Sequence, residues 1–212
     1  AEFKDSKAFQ KRLRSVWQIQ KSVSYCLFGS KKHLMNELFE KKSLPFYKFG
    51  DTVYLPKIGT EDWVDYICGR FEATGKHISA ELAGKICRAV DNHSSYVQQL
   101  AWLVWIHTDE TATEQDFEGA YQDIIDQNTP LFEKQTESLT AYQMNFLRAV
   151  LEGVHREFTT RAVLQKYKLG SSANVSIVKR ALLKKELIEM EKRQVVIPDP
   201  VMEEWLRREL GL

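Results

Sequence analysis

Apolar residues recur at helical spacing along most of this 212-residue chain. Apolar positions three or four residues apart place their side chains on one face of a helix. Phe9, Leu13 and Val16 form such a face near the start. Residues 25–30 and 52–55 instead have the continuous apolar character of short buried strands. We therefore predict a mainly α chain with a small α/β part.

The middle of the chain, residues 59–139, is predicted to be helical throughout. Ser79 is placed to cap one helix, and Thr113-x-x-Asp116 forms an approximate capping box for another. The helix predicted at residues 94–107 has apolar residues on nearly all sides. Because such a helix avoids water on every face, we expect it to be buried on most sides.

The last segment, residues 140–212, carries the most regular local pattern. Thr140 and Gln143 form a capping box that opens the first of three predicted helices. Two strands follow at 187–190 and 194–197, around a charged turn. Three helices followed by a hairpin predict a winged helix.

Charge is segregated along the chain, although the total is only +1. Residues 1–58 carry 12 Lys and Arg against 5 Asp and Glu, a net charge of +7. Residues 59–139 carry 5 against 15, a net charge of −10, and residues 140–212 carry 13 against 9, a net charge of +4. Separate modules would differ in this way, so we predict three domains with these boundaries.

Composition excludes several classes of protein. The cysteines, Cys26, Cys68 and Cys87, lack C-x-x-C spacing and are expected to be buried free thiols of a reducing compartment. The apolar runs are too short to cross a bilayer, so we expect a cytoplasmic protein and no membrane partner. The five histidines are scattered without ligand spacing, which predicts no metal site.

Four short motifs resemble the predicted AAA+/STAND-type ATPases of prokaryotes, close to the archaeal ATPase family. They are the strand ending Gly29-Ser30, Leu44-Pro45-Phe46-Tyr47, the segment 53–58, and the exit Asp199-Pro200. The resemblance implies a partial P-loop ATPase α/β domain at residues 1–58, a helical lid at 59–139 and a winged helix at 140–212. It also implies that residues 25–30 form the sensor 1 strand, whose Ser30 would face the γ-phosphate of ATP.

The resemblance also suggests residues that would touch nucleotide. The helix start at His93, Ser94 and Ser95 takes the place of a lid element that leans over the adenine and phosphates, and free amides there suit an anion. The alternative is that His93 is only part of a helix cap. Arg12 and Arg14 are candidates for an arginine finger, and the alternative is that they belong to a hydrated basic face.

Two segments of such an ATPase, the Walker A and Walker B segments, are missing from this sequence. The nearest approach to a phosphate loop runs from Gly69 to Lys76, but five residues separate its glycines and His77 follows the lysine. We therefore expect a fragment that starts after the acidic strand of a longer protein. The parent would bind ATP and Mg²⁺ and hydrolyse ATP to drive domain rearrangement, whereas the fragment alone should hold neither tightly and be inactive.

The winged helix allows two roles. It would sense the nucleotide state or contact a protein partner, or the chain would be a DNA-binding regulator, with basic residues on phosphates and polar residues on base edges of a duplex. The expected partners are the missing N-terminal ATPase half, a second copy of the chain in a homo-oligomer, or double-stranded DNA. The candidate DNA-contacting residues are Asn174, Ser176, Lys179, Arg180, Lys192 and Arg193.

Overall fold

The computed structural model describes residues 6–29 and 32–212, and for residues 32–34 it describes the backbone alone. The described chain divides between Pro56 and Lys57 into two compact units. The predicted division after residue 58 lies close to this point. The two units, called here the first and the second unit, are described separately.

An aromatic cluster organises the first unit. Its helices are α1 (Ser6–Trp17) and α2 (Lys32–Glu40). The buried ring of Phe46 lies 5.4 Å from the ring of Trp17 and 5.6 Å from that of Phe49, and Trp17 stacks on Tyr25 at 4.6 Å. Since α1 has no buried residue, these ring contacts, each worth about 0.5–1.5 kcal/mol beyond burial, are the main packing within the described part of this unit.

The two strands predicted in the first unit are wrong for the residues that the structure describes. Residues 23–29 and 51–56 have no ladder partner there, and Phe28 and Leu55 are 92% and 83% exposed. A strand forms only when a neighbour satisfies its backbone N–H and C=O groups. Each segment has the composition of a buried strand but lacks such a neighbour in the described part of the unit.

Four helices make up the first part of the second unit: α3 (Thr60–Glu72), α4 (Ala80–Ala89), α5 (Ser94–His107) and α6 (Glu114–Thr136). The caps predicted at Ser79 and Thr113 are confirmed, whereas Thr60, also predicted as a cap, is the first residue of α3 and Gly59 is the N-cap residue. The Ser79 hydroxyl accepts a hydrogen bond from the Leu82 amide at 3.1 Å. Thr113 and Asp116 exchange the reciprocal bonds of a capping box. These side chains satisfy amides that the first turn of a helix leaves without partners.

Helix α5 differs from its prediction. Val97, Leu100 and Val104 are buried against the neighbouring helices, as an apolar helix requires. On the opposite side, however, Trp102 is 56% exposed and Ile106 is 48% exposed. The expectation that α5 is buried on most sides is therefore wrong, because no described element of the second unit covers this side of the helix.

The winged helix is present, as predicted. Its elements are α7 (Ala141–Leu151), α8 (Arg161–Lys166), α9 (Ser172–Lys184), β1 (Glu189–Glu191), β2 (Gln194–Val196) and α10 (Pro200–Leu210). Thr140 and Gln143 form the predicted capping box of α7. The strands pair antiparallel with Met190 opposite Val195. Lys192 and Arg193 make the tight turn, and both have positive φ, 46° and 66°. A turn of this kind suits a hairpin because its twist matches the right-handed twist of the two strands.

One continuous hydrophobic core runs through the second unit. Helix α10 of the winged helix packs on α6, where the rings of Phe132 and Trp205 lie 5.7 Å apart. Close by, the Arg208 guanidinium donates to Gln122 at 2.6 Å and lies over the ring of Tyr121. The predicted division between residues 139 and 140 falls between α6 and α7, which both belong to this unit.

Candidate functional site

The amino end of α5 has the free backbone amides that the sequence suggested. His93 is the N-cap residue, and its side chain makes no capping hydrogen bond. Ser94 and Ser95 are exposed, and the N-cap side chain accepts no hydrogen bond from a first-turn amide. Such a helix start carries partial positive charge and suits an anion.

The loop that leads into α5 is held by the segment before α3. The Lys57 ammonium group contacts the Asp91 carboxylate at 2.5 Å and the Asp91 carbonyl oxygen at 2.9 Å. The Asn92 amide donates to the Thr60 hydroxyl at 3.1 Å. Asp91 and Asn92 both have positive φ, a conformation that Asn and Asp tolerate better than most residues. These contacts set the position of His93 before the helix begins.

A hydrogen bond connects the start of α5 to the winged helix. The ring of His93 lies 4.9 Å from that of Tyr96, one turn into the helix. The Tyr96 hydroxyl donates to Oδ2 of Asp199 at 2.8 Å. The other carboxylate oxygen, Oδ1, accepts from the amides of Val201 and Met202 at 3.0 and 2.9 Å and so caps α10. One carboxylate therefore joins the starts of two helices.

Burial and charge change the protonation of Tyr96. Its hydroxyl is half-buried, and this burial is the main reason that its pKa is raised well above the ordinary tyrosine value. The hydrogen bond to Asp199 and the negative charge of that carboxylate raise the pKa further. Tyr96 therefore stays protonated at neutral pH and acts as a constant donor. His93 Nδ1 is buried and has no hydrogen-bond partner among the described residues.

The sequence did not predict this connection. By its sequence, Tyr96 is one more apolar position of the helix at residues 94–107, and Asp199 belongs to the exit from the hairpin. A separation of 103 residues lies between them. The one local signal is Asp199-Pro200, since Asp at an N-cap followed by Pro at the first helical position is typical of a helix start.

The candidate DNA-contacting residues occupy different environments. Arg180 and Ser176 are exposed on α9, and Lys179 is half-buried. The Asn174 side-chain amide donates to the Leu169 carbonyl at 2.8 Å, which uses one of its donors within the fold. Lys192 and Arg193 are exposed at the hairpin turn.

Two features beside these residues disfavour binding to duplex DNA. Ile177 lies beside Ser176 and Arg180 on α9 and is 63% exposed. Glu189 and Glu191 are exposed in β1, next to the basic turn. Carboxylates repel phosphates, so the basic character of this surface is interrupted.

The remaining candidates for contact with nucleotide, Arg12, Arg14 and Ser30, belong to the first part of the chain. The Arg14 guanidinium donates to the carbonyls of Pro45 and Tyr47 and lies 5.4 Å from the ring centroid of Phe49. It is thus held by its own unit. Arg12 is exposed on α1. Ser30, the sensor 1 candidate, lies outside the described residues.

Other chemistry has no support in the described residues 6–29 and 32–212. They contain no group of three or more His, Cys, Asp or Glu side chains that could hold a metal ion. Among them no helix is both long and apolar enough to span a bilayer. Gly69, the first glycine of the phosphate-loop near-match, lies inside α3, where its backbone is part of a helix and cannot form a phosphate cradle.

Comparison with known proteins agrees with the winged helix. A family model described as a probable winged helix domain matches residues 130–208, which include the end of α6 and all of α7 to β2. No curated protein matches the chain. By fold and family model, this is a mainly α protein that contains a winged helix domain.

The whole chain is also similar in fold to a solved structure, the Walker-type ATPase PABY2304 of Pyrococcus abyssi. The TM-score is 0.70 over 97% of this chain, with 15% sequence identity. At this identity the similarity concerns the fold alone. The chain spans 59% of the length of that ATPase.

Proposed function

We propose that this chain is the C-terminal part of a cytoplasmic Walker-type ATPase of the AAA+/STAND kind. The observation that carries the proposal is the fold similarity to the Pyrococcus ATPase, which extends over 97% of this chain but only 59% of that one. The sequence motifs around residues 25–30 and 53–58 support the same assignment. The parent protein would hydrolyse ATP, and the chain alone would not.

In this proposal, the parent's missing N-terminal half holds ATP and Mg²⁺. None of the described residues forms a phosphate loop, so the phosphates and the magnesium ion would be held by the Walker A and Walker B segments. This chain would add the amides at the start of α5 near His93, Ser94 and Ser95, which fit an anion. Ser30, Arg12 and Arg14 remain candidates for contact with the γ-phosphate.

The missing half would also cover exposed apolar residues of the first unit. Val53, Leu55 and Phe28 lie in segments with strand composition and are largely exposed. Strands from the N-terminal half would supply the ladder partners that these segments lack. A second copy of the chain is the alternative partner, and the molecular mass in solution distinguishes the two.

We also infer how nucleotide would reach the winged helix. An anion bound at the start of α5 would act on the helix that carries Tyr96, and Tyr96 holds Asp199 at the start of α10. A displacement of α5 would therefore alter the hydrogen bond by which Tyr96 holds Asp199 at the start of α10. Through this hydrogen bond the winged helix would sense the nucleotide state.

The upstream reading frame and the activity of the longer protein test the proposal. We expect the frame before Ala1 to encode G-x-x-x-x-G-K-[ST] and then an acidic strand end. The longer protein should hydrolyse ATP, and substitution of its phosphate-loop lysine by alanine should abolish hydrolysis, while residues 1–212 alone should show none. A stop codon or an unrelated domain upstream would show that the proposal is wrong.

DNA binding by the winged helix is the second candidate function. It is favoured by the exposed Arg180 on α9 together with Lys192 and Arg193 at the hairpin turn. A gel shift with random duplex DNA at rising salt tests it, because phosphate contacts weaken steeply with salt. The double substitution Lys192→Ala and Arg193→Ala should reduce binding, whereas Lys41→Ala in the first unit is the matched control. An absence of binding at low salt would exclude this function.

A further inference from the structure

A cavity lined by aromatic side chains lies between α3 and α5. Trp63, Tyr66 and Phe71 of α3 line it together with Trp102 and Trp105 of α5. Its volume of about 380 Å³ is within the range of small-molecule sites in proteins. Since a cavity of about 150 Å³ is enough for benzene, this one has room for two fused rings. Its described lining residues belong neither to the candidate ATP contacts nor to the winged helix.

Arg70 also lines this cavity, and its guanidinium group has no partner within the described part of the chain. It forms neither an ion pair nor a hydrogen bond within residues 6–29 and 35–212. An acidic partner on the same helix would lie three or four positions away, but those positions are uncharged. The indole N–H of Trp63 is buried and likewise has no acceptor among the described residues. Two lining residues thus have donors without acceptors, which favours a ligand that carries an acceptor.

Acidic residues are absent from the described wall of this cavity. Helix α3 carries Glu61, Asp62, Asp65 and Glu72, and none of the four is among the lining residues. Helix α5, which forms the other wall, contains no Asp, Glu, Lys or Arg. Arg70 is therefore the one charged side chain at the described wall. An anion in the cavity would meet this cation without a competing carboxylate beside it.

The Trp105 side of the cavity is held in place by contacts within the protein. The Trp105 indole N–H donates to the Thr74 hydroxyl at 2.9 Å. The Lys76 ammonium group donates to the carbonyls of Trp105 and Thr108 and lies 4.3 Å from the centre of the Trp105 ring. These contacts fix the ring before any ligand binds, and Lys76 adds positive charge on this side. A preformed aromatic wall lowers the entropic cost of binding a flat ring.

We propose that this cavity binds a small aromatic monocarboxylate with two fused rings. The rings would pack against Trp63, Trp102 and Trp105, because flat aromatic systems gain from ring contacts beyond the burial of their surface. The carboxylate would accept two parallel hydrogen bonds from Arg70, whose guanidinium fork matches its geometry. A single unpaired cation in an otherwise uncharged wall matches one negative charge. Binding at this cavity does not depend on whether the chain belongs to an ATPase.

Three ligands of similar shape test the proposal. Naphthalene-2-carboxylate represents the proposed class. Naphthalene-2-carboxamide has the same rings without the charge, and decahydronaphthalene-2-carboxylate has the charge without the aromatic rings. Binding of each ligand to the full chain is measured by isothermal titration calorimetry. We expect naphthalene-2-carboxylate to bind at least about tenfold more tightly than the carboxamide, and more tightly than the saturated carboxylate.

Substitutions then locate the binding site. Arg70→Met should weaken binding of naphthalene-2-carboxylate about tenfold and leave the carboxamide unchanged, because it removes the charge and keeps the apolar stem. Trp102→Ala should weaken both ligands, because it removes a ring from the wall. Arg180→Met is the matched control, since it removes an exposed arginine on α9, and should change neither. All three residues are exposed, so each variant should keep its helices, which circular dichroism checks.

Several results would overturn the proposal. They are no binding of naphthalene-2-carboxylate at about 1 mM, equal or tighter binding of the carboxamide or the saturated carboxylate, or unchanged binding after Arg70→Met. Two competitors cover the remaining cases. Displacement of naphthalene-2-carboxylate by ATP would assign the cavity to nucleotide, and displacement by a helical peptide with a Leu and Trp face flanked by Glu would assign it to a protein partner. In either case the proposal is wrong.

Discussion

At the scale of single residues, Asp199 has two structural tasks. One carboxylate oxygen accepts the Tyr96 hydroxyl, and the other caps α10. Both contacts involve a charged acceptor, and such hydrogen bonds contribute more than neutral ones. The residue therefore stabilises a helix end and a contact between two parts of the second unit.

A double-mutant cycle measures the Tyr96 contact separately from the cap. Tyr96→Phe should lower the free energy of unfolding by about 1–2 kcal/mol because it leaves a charged acceptor without its donor. Asp199→Ala should cost about 1 kcal/mol more because the cap is also lost. Urea unfolding of the two single variants and the double variant gives the coupling energy, for which we expect about 1 kcal/mol. Additivity within about 0.3 kcal/mol would show that the two residues do not interact.

Stability at alkaline pH should depend on two tyrosines. Burial raises the pKa of Tyr121 from 10.0 to about 12, and it also raises the pKa of Tyr96. A group whose folded pKa is raised contributes stability that is complete below its unfolded pKa and is lost as pH rises towards the folded value. We therefore expect the free energy of unfolding to fall between pH 10 and pH 12. Tyr96→Phe and Tyr121→Phe should each reduce this slope, which urea unfolding at several pH values measures.

At the scale of elements, helix starts were the most predictable features. The capping boxes at Thr113 and Thr140 form as their spacing indicated, because a cap depends on residues only three positions apart. The hairpin turn at Lys192 and Arg193 was predictable for the same reason. Local chemistry is sufficient where the partners are close in sequence.

Two threonines at helix starts allow a matched test of capping. The Thr140 hydroxyl accepts from the Gln143 amide, whereas Thr160, the N-cap residue of α8, makes no side-chain capping bond. Thr140→Ala should lower the free energy of unfolding by about 1 kcal/mol, and Thr160→Ala by less than about 0.5 kcal/mol. Equal losses in the two variants, measured by urea unfolding, would contradict this assignment.

At the scale of the whole molecule, the second unit should behave as one cooperative body. Its helical bundle and winged helix share a core through α6 and α10. Trp205, which is buried against Phe132, is the largest side chain at this contact. The loss of a buried Trp costs about 3–5 kcal/mol.

Hydrogen exchange tests this cooperativity. Trp205→Ala should reduce amide protection in α5 and α6 as well as in α7 to α10, because both parts lose the same contact. Trp102→Ala, at an exposed position, should leave protection in α7 to α10 unchanged. If Trp205→Ala lowers protection only in the winged helix, the two parts unfold independently and the prediction is wrong.

The sequence by itself determined the mainly helical class, the helix starts and the winged helix, because periodicity, caps and turn residues act over a few positions. It did not determine which segments pair or which surfaces are covered. The strands predicted for residues 25–29 and 52–55 do not form in the described part of the chain, since a strand depends on a neighbour that local composition does not reveal. The exposure of Trp102 and the bond from Tyr96 to Asp199 are likewise decided only by the tertiary structure, because both depend on how helices distant in sequence come together.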